Sequence, residues 1–287
     1  MIIMVTGTTS GLGRVTAEAI AAAGHQLIMA CRDPIRAESV RREIAGRTGN
    51  EQITVVRCDL ASLASVRACA AEVGDRWDRL DVLINNAGTM TTRFQTSADG
   101  LELTFAANYL GPWLLTRLLA DRLLRSPGAR IVNVASAVHH RGMLDLEALA
   151  SETGKHYSGM RAYARSKLGN VMATLSLAER LAGNGLTANC LHPGVVATNI
   201  VSDTNTLLRI GMKLFGPLFL DPERGAKTTL HLALGTEVGN VSGAYFDERQ
   251  RQQEPSASAR DRSARDDLWA WSSRFCGVPE TPVPVTQ

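Results

Sequence analysis

Tyr163 and Lys167 stand four residues apart in AYARSK, inside a stretch of helical period, so a helix there carries both side chains on one face. A free phenol titrates at about 10 and is a poor base at neutral pH. An ammonium one turn away favours the phenolate, which suits the pair to moving a proton to or from an oxygen. Ser136 closes the apolar run RIVNVAS, where a parallel sheet offers side chains to a ligand crevice. A hydroxyl there either holds a substrate oxygen or caps a turn. Asn108 lies within FAANYLGPWLLTRLL, and a buried amide must find partners. It is either a hydrogen-bond hub or part of a water relay to Lys167.

A proton-transfer pair of this kind needs a partner for the electrons, and the first residues of the chain offer a place for one. VTGTTSGLG puts Gly7, Gly11 and Gly13 in the pattern GxxxGxG, after an apolar run and before a helical segment. Glycines there permit positive φ and let backbone N–H groups approach a pyrophosphate at a helix N-terminus. Thr6, Thr8, Thr9 and Ser10 add hydroxyl groups, and Leu12 and Arg14 begin the helix. The spacing differs from the GxGxxG of the long-chain dinucleotide enzymes. The second apolar run ends in MACRDP, where an acidic residue would bind the ribose 2′-hydroxyl of NAD. Arg32 comes first there and Asp33 only after it. An arginine at that strand end stacks on adenine and pairs with a 2′-phosphate, and Arg14 supplies a second positive charge. NADP(H) is therefore the expected cofactor, its oxidised nicotinamide adding to the pull of Lys167 on the phenol; the competing reading makes Arg32 and Asp33 a surface pair. Asn86, Ala87 and Gly88, in NNAG, pack near the adenine side of the dinucleotide or form a simple turn.

The elements that must position these groups are legible as an alternation. Short apolar runs rich in Val and Ile, without polar alternation, occur at 2–7, 26–32, 53–59, 80–88, 130–136, 186–194 and 243–247. Amphipathic segments lie at 14–23, 34–46, 62–76, 101–125, 162–183 and 223–234. Runs of that kind are strands buried on both faces, and the alternation predicts one doubly wound α/β domain with a mainly seven-stranded parallel sheet. The expected domain spans 1–277, with an apolar segment at 199–220, a C-terminal extension at 248–277 and a Pro-rich disordered tail at 278–287. The tract LWAWSSRF within the extension reads as a short helix packing back on the body.

Bulk properties exclude several classes. The net charge of +3, with no long basic run, implies no nucleic-acid partner. Five scattered cysteines without CxxC spacing read as reduced thiols in a cytoplasmic protein, with no zinc site. MIIMV lacks the basic region of a signal peptide, and LLRIGMKLFGPLFL is too short and too charged to span a bilayer. His139 and His140 adjoin, yet no carboxylate or cysteine is spaced to complete a metal site with them, and His192 reads as structural.

Taken in order, TGTTSGLG, CDL, NNAG, Asn108, Ser136, YARSK and HPGVVAT resemble the short-chain dehydrogenase/reductases over residues 2–247. The resemblance implies a Rossmann-type domain with an Asn108–Ser136–Tyr163–Lys167 tetrad. In that likeness Tyr163 gives or takes the proton and Ser136 orients the carbonyl, while Lys167 also binds the nicotinamide ribose and Asn108 holds a relay water. It further places Asp59 and Leu60 beside the adenine, and Pro193, Gly194, Val196 and Thr198 along the nicotinamide. MACRDPIRAE, IVNVASAVHHRG and the tail DLWAWSSRFCGVP are similar to the retinol dehydrogenase-like branch, which handles apolar alcohols and aldehydes with NADP(H). Two departures stand out: no apolar anchor precedes the first strand, and the strand-end pair is Ala135–Ser136.

The family likeness makes 199–220 a lid, which implies a hydrophobic small-molecule substrate because an apolar lid gains by covering apolar area. A core-packing helix pair or a membrane-surface patch are its alternatives. Retinal-like or long-chain aldehydes and alcohols form one substrate class, and polycyclic or polyketide ketones the other. A non-catalytic NADP(H)-binding sensor would not need Ser136, Tyr163 and Lys167 together. The segments 109–125 and 162–182 resemble the helices that pair in family dimers and tetramers, so a homodimer is one expectation and obstruction of some interfaces by the C-terminal extension the other.

Overall fold

A computed structural model of the chain describes residues 1–150, 152–194 and 221–281. The apolar runs become strands β1 (Ile2–Thr6), β2 (Gln26–Cys31), β3 (Ile53–Arg57), β4 (Val82–Asn85), β5 (Arg130–Val134), β6 (Thr187–Leu191) and β7 (Tyr245–Phe246). They pair in the order β3-β2-β1-β4-β5-β6-β7, all parallel. An eighth strand, β8 (Gln252–Gln253), adds to the edge antiparallel to β7. It falls in the stretch expected to be solvated, and both glutamines are indeed exposed.

Helices cover both faces, as strands apolar on both sides require. One face carries α1 (Gly11–Ala22) and α2 (Pro34–Thr48), together with a later helix, Pro222–Leu234, numbered α9 below. Their apolar sides close over Ile3, Val5, Leu27, Met29 and Ile84. On the other face lie α3 (Leu63–Arg76) and a broken helical stretch made of α4 (Leu103–Phe105), a π-turn (Ala106–Leu110), α5 (Gly111–Leu118) and α6 (Ala120–Leu124). After β5 come a 3-10 turn (Ala137–Arg141), α7 (Leu146–Ala150) and the long α8 (Gly159–Arg180), followed beyond β6 by α9 (Pro222–Leu234). The single amphipathic helix expected at 101–125 is therefore divided, and its π-turn contains Asn108.

The chain ends in α10 (Ala257–Arg260) and α11 (Arg262–Cys276). The tryptophans of LWAWSSRF bury this arm: Trp269 is 1% exposed and meets Trp113 edge-on at 5.2 Å. The Arg117 guanidinium packs against both rings, 5.1 and 4.8 Å from their centroids, and donates to the carbonyls of Pro279 and Thr281 at 2.7 and 2.6 Å. Trp269 Nε1 donates to Glu280 O at 2.7 Å. The expectation of a disordered tail from residue 278 is thus corrected for 278–281. Their backbone carbonyls accept from a buried arginine and an indole, which composition alone does not reveal. All five cysteines are free and buried. No helix among the described residues is long and apolar enough to cross a membrane.

Candidate active site

The strand order reverses between β1 and β4, and in open α/β sheets such a switch point, at the C-terminal strand ends, is where ligands bind. β1 turns into α1 through Gly7 at φ 73° and Gly11 at φ 54°, conformations that favour glycine. The approach is close: a Cβ on Gly7 would lie 2.9 Å from Ala87 Cα, and one on Gly13 would collide with Gly7 O and Asn86 Nδ2. Thr6 Oγ1 accepts from the amides of Asn86 and Ala87 at 3.0 Å each, and Asn86 Nδ2 donates to Thr6 O at 2.9 Å. The NNAG turn thus braces the glycine turn through its own backbone and amide.

Helices α2, α3, α8, α9 and α11 are each capped by a side chain, from Asp33, Ser62, Ser158, Asp221 and Asp261. Helix α1 is not: Ser10 holds the N-cap position in extended backbone without a side-chain bond. Its first-turn amides therefore lack a side-chain cap, with Thr9, Ser10 and Leu12 beside them, an arrangement that suits a pyrophosphate. A cradle too tight for any Cβ and an uncapped helix start fit a dinucleotide.

Of the two arginines expected near the phosphate, Arg32 keeps its strand-end position and Arg14 does not stay free. Arg32 is exposed at the end of β2. Arg14 is turned to Glu43, 2.5 Å away, across α1 and α2, so its charge is already paired. Asp33 caps α2, accepting from Arg36 N at 3.1 Å. That cap fixes the first turn of α2, from which the Arg36 guanidinium donates to Thr9 O at 3.4 Å. Sequence reasoning missed Arg36; its signal was the position in the first turn after a Pro-started helix, one turn behind the strand end. Beyond β3, Asp59 is half-buried and Leu60 buried, and Asp59 holds the turn by accepting from Ala61 N at 3.0 Å.

The four polar residues expected to act together do converge. Lys167 is 2% exposed on the inner face of α8, and its ammonium donates to Val134 O at 2.7 Å, the last carbonyl of β5. It sits 5.6 Å from the Tyr163 ring centroid and 3.5 Å from the position a Cβ would take on Gly88. Asn108 accepts from Thr89 N at 2.7 Å, and donates to Thr89 O at 2.8 Å and to Ser166 Oγ at 3.1 Å. Ser166 Oγ in turn donates to Tyr163 O at 2.8 Å. Asn108 is therefore a hub that ties the end of the β4 turn to the helix bearing Tyr163 and Lys167. Ser136 stands two residues beyond β5 and caps the 3-10 turn, its hydroxyl accepting from Val138 N at 3.4 Å.

The electrostatics depart from the simple expectation for the phenol. Burial pushes Tyr163 up to about 12, offset only in part by its hydrogen bond with the Ser136 side chain. Burial also pulls Lys167 down to about 8. The chain's own groups thus keep the phenol protonated through neutral pH, because desolvation outweighs the hydrogen bond with Ser136.

Pro193 and Gly194 follow β6 at the same end of the sheet, Gly194 at φ 78°, and Gly194 N donates to His192 Nδ1 at 3.3 Å. Val196, Thr198 and the expected lid at 199–220 lie outside the described residues. Among the described residues no group of three or more His, Cys, Asp or Glu is placed to hold a metal ion.

Comparison with known proteins agrees with this geometry. The family model described as short chain dehydrogenase matches residues 1–208. Human retinol dehydrogenase 13 is 39% identical over 292 residues, covering 98% of this chain and 88% of that protein. The crystal structure of an uncharacterized protein from Mycobacterium paratuberculosis is 33% identical with a TM-score of 0.77, covering 98% of this chain and 95% of that one. A structure from Beutenbergia cavernae, described as an NAD(P)-dependent gluconate 5-dehydrogenase with bound NADP, is 28% identical with a TM-score of 0.67, covering 86% of this chain and 94% of the other.

Proposed function

This chain belongs to the short-chain dehydrogenase/reductase family of oxidoreductases, and from that premise we propose that it is an NADP(H)-dependent reductase of hydrophobic aldehydes or ketones. The observation that carries the proposal is the convergence of Ser136, Tyr163 and Lys167 at the strand ends beside the glycine turn. NADP(H), when bound, supplies or takes up the hydride. Gly7, Thr9, Ser10, Gly11, Leu12 and Gly13 would hold its pyrophosphate, with Asn86, Ala87 and Gly88 behind it. Arg32 and Arg36 would face the 2′-phosphate, Arg36 taking the role expected of Arg14. Asp59 and Leu60 would flank the adenine, and Pro193 and Gly194 would lie along the nicotinamide, with Val196 and Thr198 proposed to continue that wall.

The chain's own part is to align the substrate and move one proton. Ser136 holds the carbonyl oxygen through its hydroxyl, and Tyr163 donates its phenolic proton to that oxygen as negative charge develops there. The buried Lys167 ammonium then stabilises the phenolate left behind. With burial pushing it up to about 12, the phenol is protonated at neutral pH, the state the reductive half-reaction requires. Two exposed methionines support an apolar substrate: Met143, 85% exposed, just after the 3-10 turn, and Met160, 54% exposed, one turn before Tyr163. The name of the human relative points to the same class.

Tyr163→Phe tests the assignment. Turnover of an aldehyde panel, followed by NADPH consumption, is expected to fall by about a thousandfold while the NADPH dissociation constant moves less than about twofold. A variant that keeps most of its turnover refutes the proton donor.

A further inference from the structure

His139 follows Ser136 by three residues and takes no part in the proton chemistry, yet it is wholly buried. Its Nδ1 lies 2.8 Å from Ser136 O, a carbonyl that can only accept, so Nδ1 carries the proton and donates. Its Nε2 accepts from the backbone N–H of Ser256 at 3.2 Å, a residue 117 positions further along the chain. Opposite roles at the two nitrogens fix a single neutral tautomer. Burial, with His140 and His192 nearby, pulls the ring down to about 4 and keeps it neutral. The ring is also wedged in place, 4.0 Å from His140 and edge-on to Tyr245 at 4.8 Å.

Both ends of this bridge matter. Ser136 O also accepts from His139 N at 3.1 Å, so one residue clamps that peptide plane twice, and the plane sets where the Ser136 hydroxyl points. Ser256 opens the C-terminal arm: its hydroxyl caps α10 by accepting from Ala259 N at 3.2 Å. We propose that His139 is a positioning residue that sets the Ser136 hydroxyl against the C-terminal arm, making the arm part of the reaction's apparatus. The inference rests on the reading of Ser136 as the group that holds the substrate oxygen. A surface that must keep a hydroxyl within a fraction of an ångström gains from a rigid backing, and this serine is backed by an imidazole anchored on both sides.

Ser256→Pro removes the donor and keeps the backbone, because φ of Ser256 is −56°. It also loses the hydroxyl cap, so Ser256→Ala, which keeps the N–H, is its control. The full-length variants are compared for decanal and retinal reduction, each alone and in a His139→Asn background. There an amide N–H replaces Nδ1–H, and no acceptor remains for Ser256. Ser256→Pro is expected to lower kcat about tenfold below Ser256→Ala, with KM and NADPH affinity within about twofold. In the His139→Asn background the two should be equal. Nitrogen-15 spectra of the unaltered protein should show His139 as the neutral Nδ1–H tautomer. Equal kcat for the two single variants, a deficit that persists without the imidazole, or an Nε2–H tautomer would each overturn the inference. Ser136→Ala separates the two readings: if it stays active, the role of Ser136 itself fails. If it is inactive while Ser256→Pro matches Ser256→Ala, only the positioning role fails.

Discussion

The glycine turn and the C-terminal arm stand at opposite ends of the sequence and are held by opposite means. At the turn, backbone meets backbone: Gly7 against Ala87, Gly13 against Gly7 O, and Thr6 joined to the amides of the β4 turn. In the arm, long side chains reach distant partners. Tyr109 hydrogen-bonds Ser272 at 2.8 Å, Arg265 reaches Glu179 at 2.8 Å, and Arg117 is gripped by Trp113, Trp269 and two late carbonyls. A backbone cradle tolerates no added atom but needs little support from elsewhere. A side-chain clasp tolerates small changes but depends on residues far away. One region should therefore fail by loss of ligand and the other by loss of stability.

Gly13→Ala is the harshest test of the first half of that contrast. Its methyl group enters the space of Gly7 O and Asn86 Nδ2, and NADPH binding measured by calorimetry should vanish, with stability lower by about 1–3 kcal/mol. Trp269→Ala is the counterpart. Losing that buried indole should cost about 3–5 kcal/mol in urea unfolding while the folded fraction still binds NADPH. If cofactor binding is lost with it, the two regions are not separable.

The acid limb of stability sharpens the comparison next. His139 titrates at about 4 when folded, against 6.5 as its ordinary value. Between these values the unfolded chain binds the extra proton, so this contribution is complete above pH 6.5 and is lost as pH falls toward 4, by up to about 3 kcal/mol. His139→Asn, which cannot titrate, should flatten that limb in urea titrations at stepped pH. The smallest effects come from matched caps. Asp33→Ala and Asp261→Ala should each cost about 1 kcal/mol. Only the first should weaken NADPH binding, because Asp33 fixes the turn that carries Arg36.

The contrast also explains what the residues revealed in advance. The glycine turn and the Tyr163–Lys167 register were legible because both are short-range: a φ angle and one helical turn. The sheet followed from strands without polar alternation. Asn108 was recognisable as an amide needing partners, but the π-turn around it, and Thr89 and Ser166 as the partners chosen, depend on how two helices meet. Arg14 looked free for a phosphate because Glu43, its partner, sits on the neighbouring helix. The tail 278–281 read as disordered because its value lies in bare carbonyls, which any sequence supplies. His139 was weighed only as a metal ligand, since nothing near it in the chain announces Ser256.

The concealed thiols give this protein a built-in clock. Cys31, Cys58, Cys69 and Cys190 lie in or against the sheet, whereas Cys276 is the last residue of α11. An alkylating reagent meets sulfur only where packing has opened. Mass spectrometry of each modified peptide, sampled over time in mild denaturant, would then report whether the carboxyl-terminal helix peels away before the central layer yields or together with it.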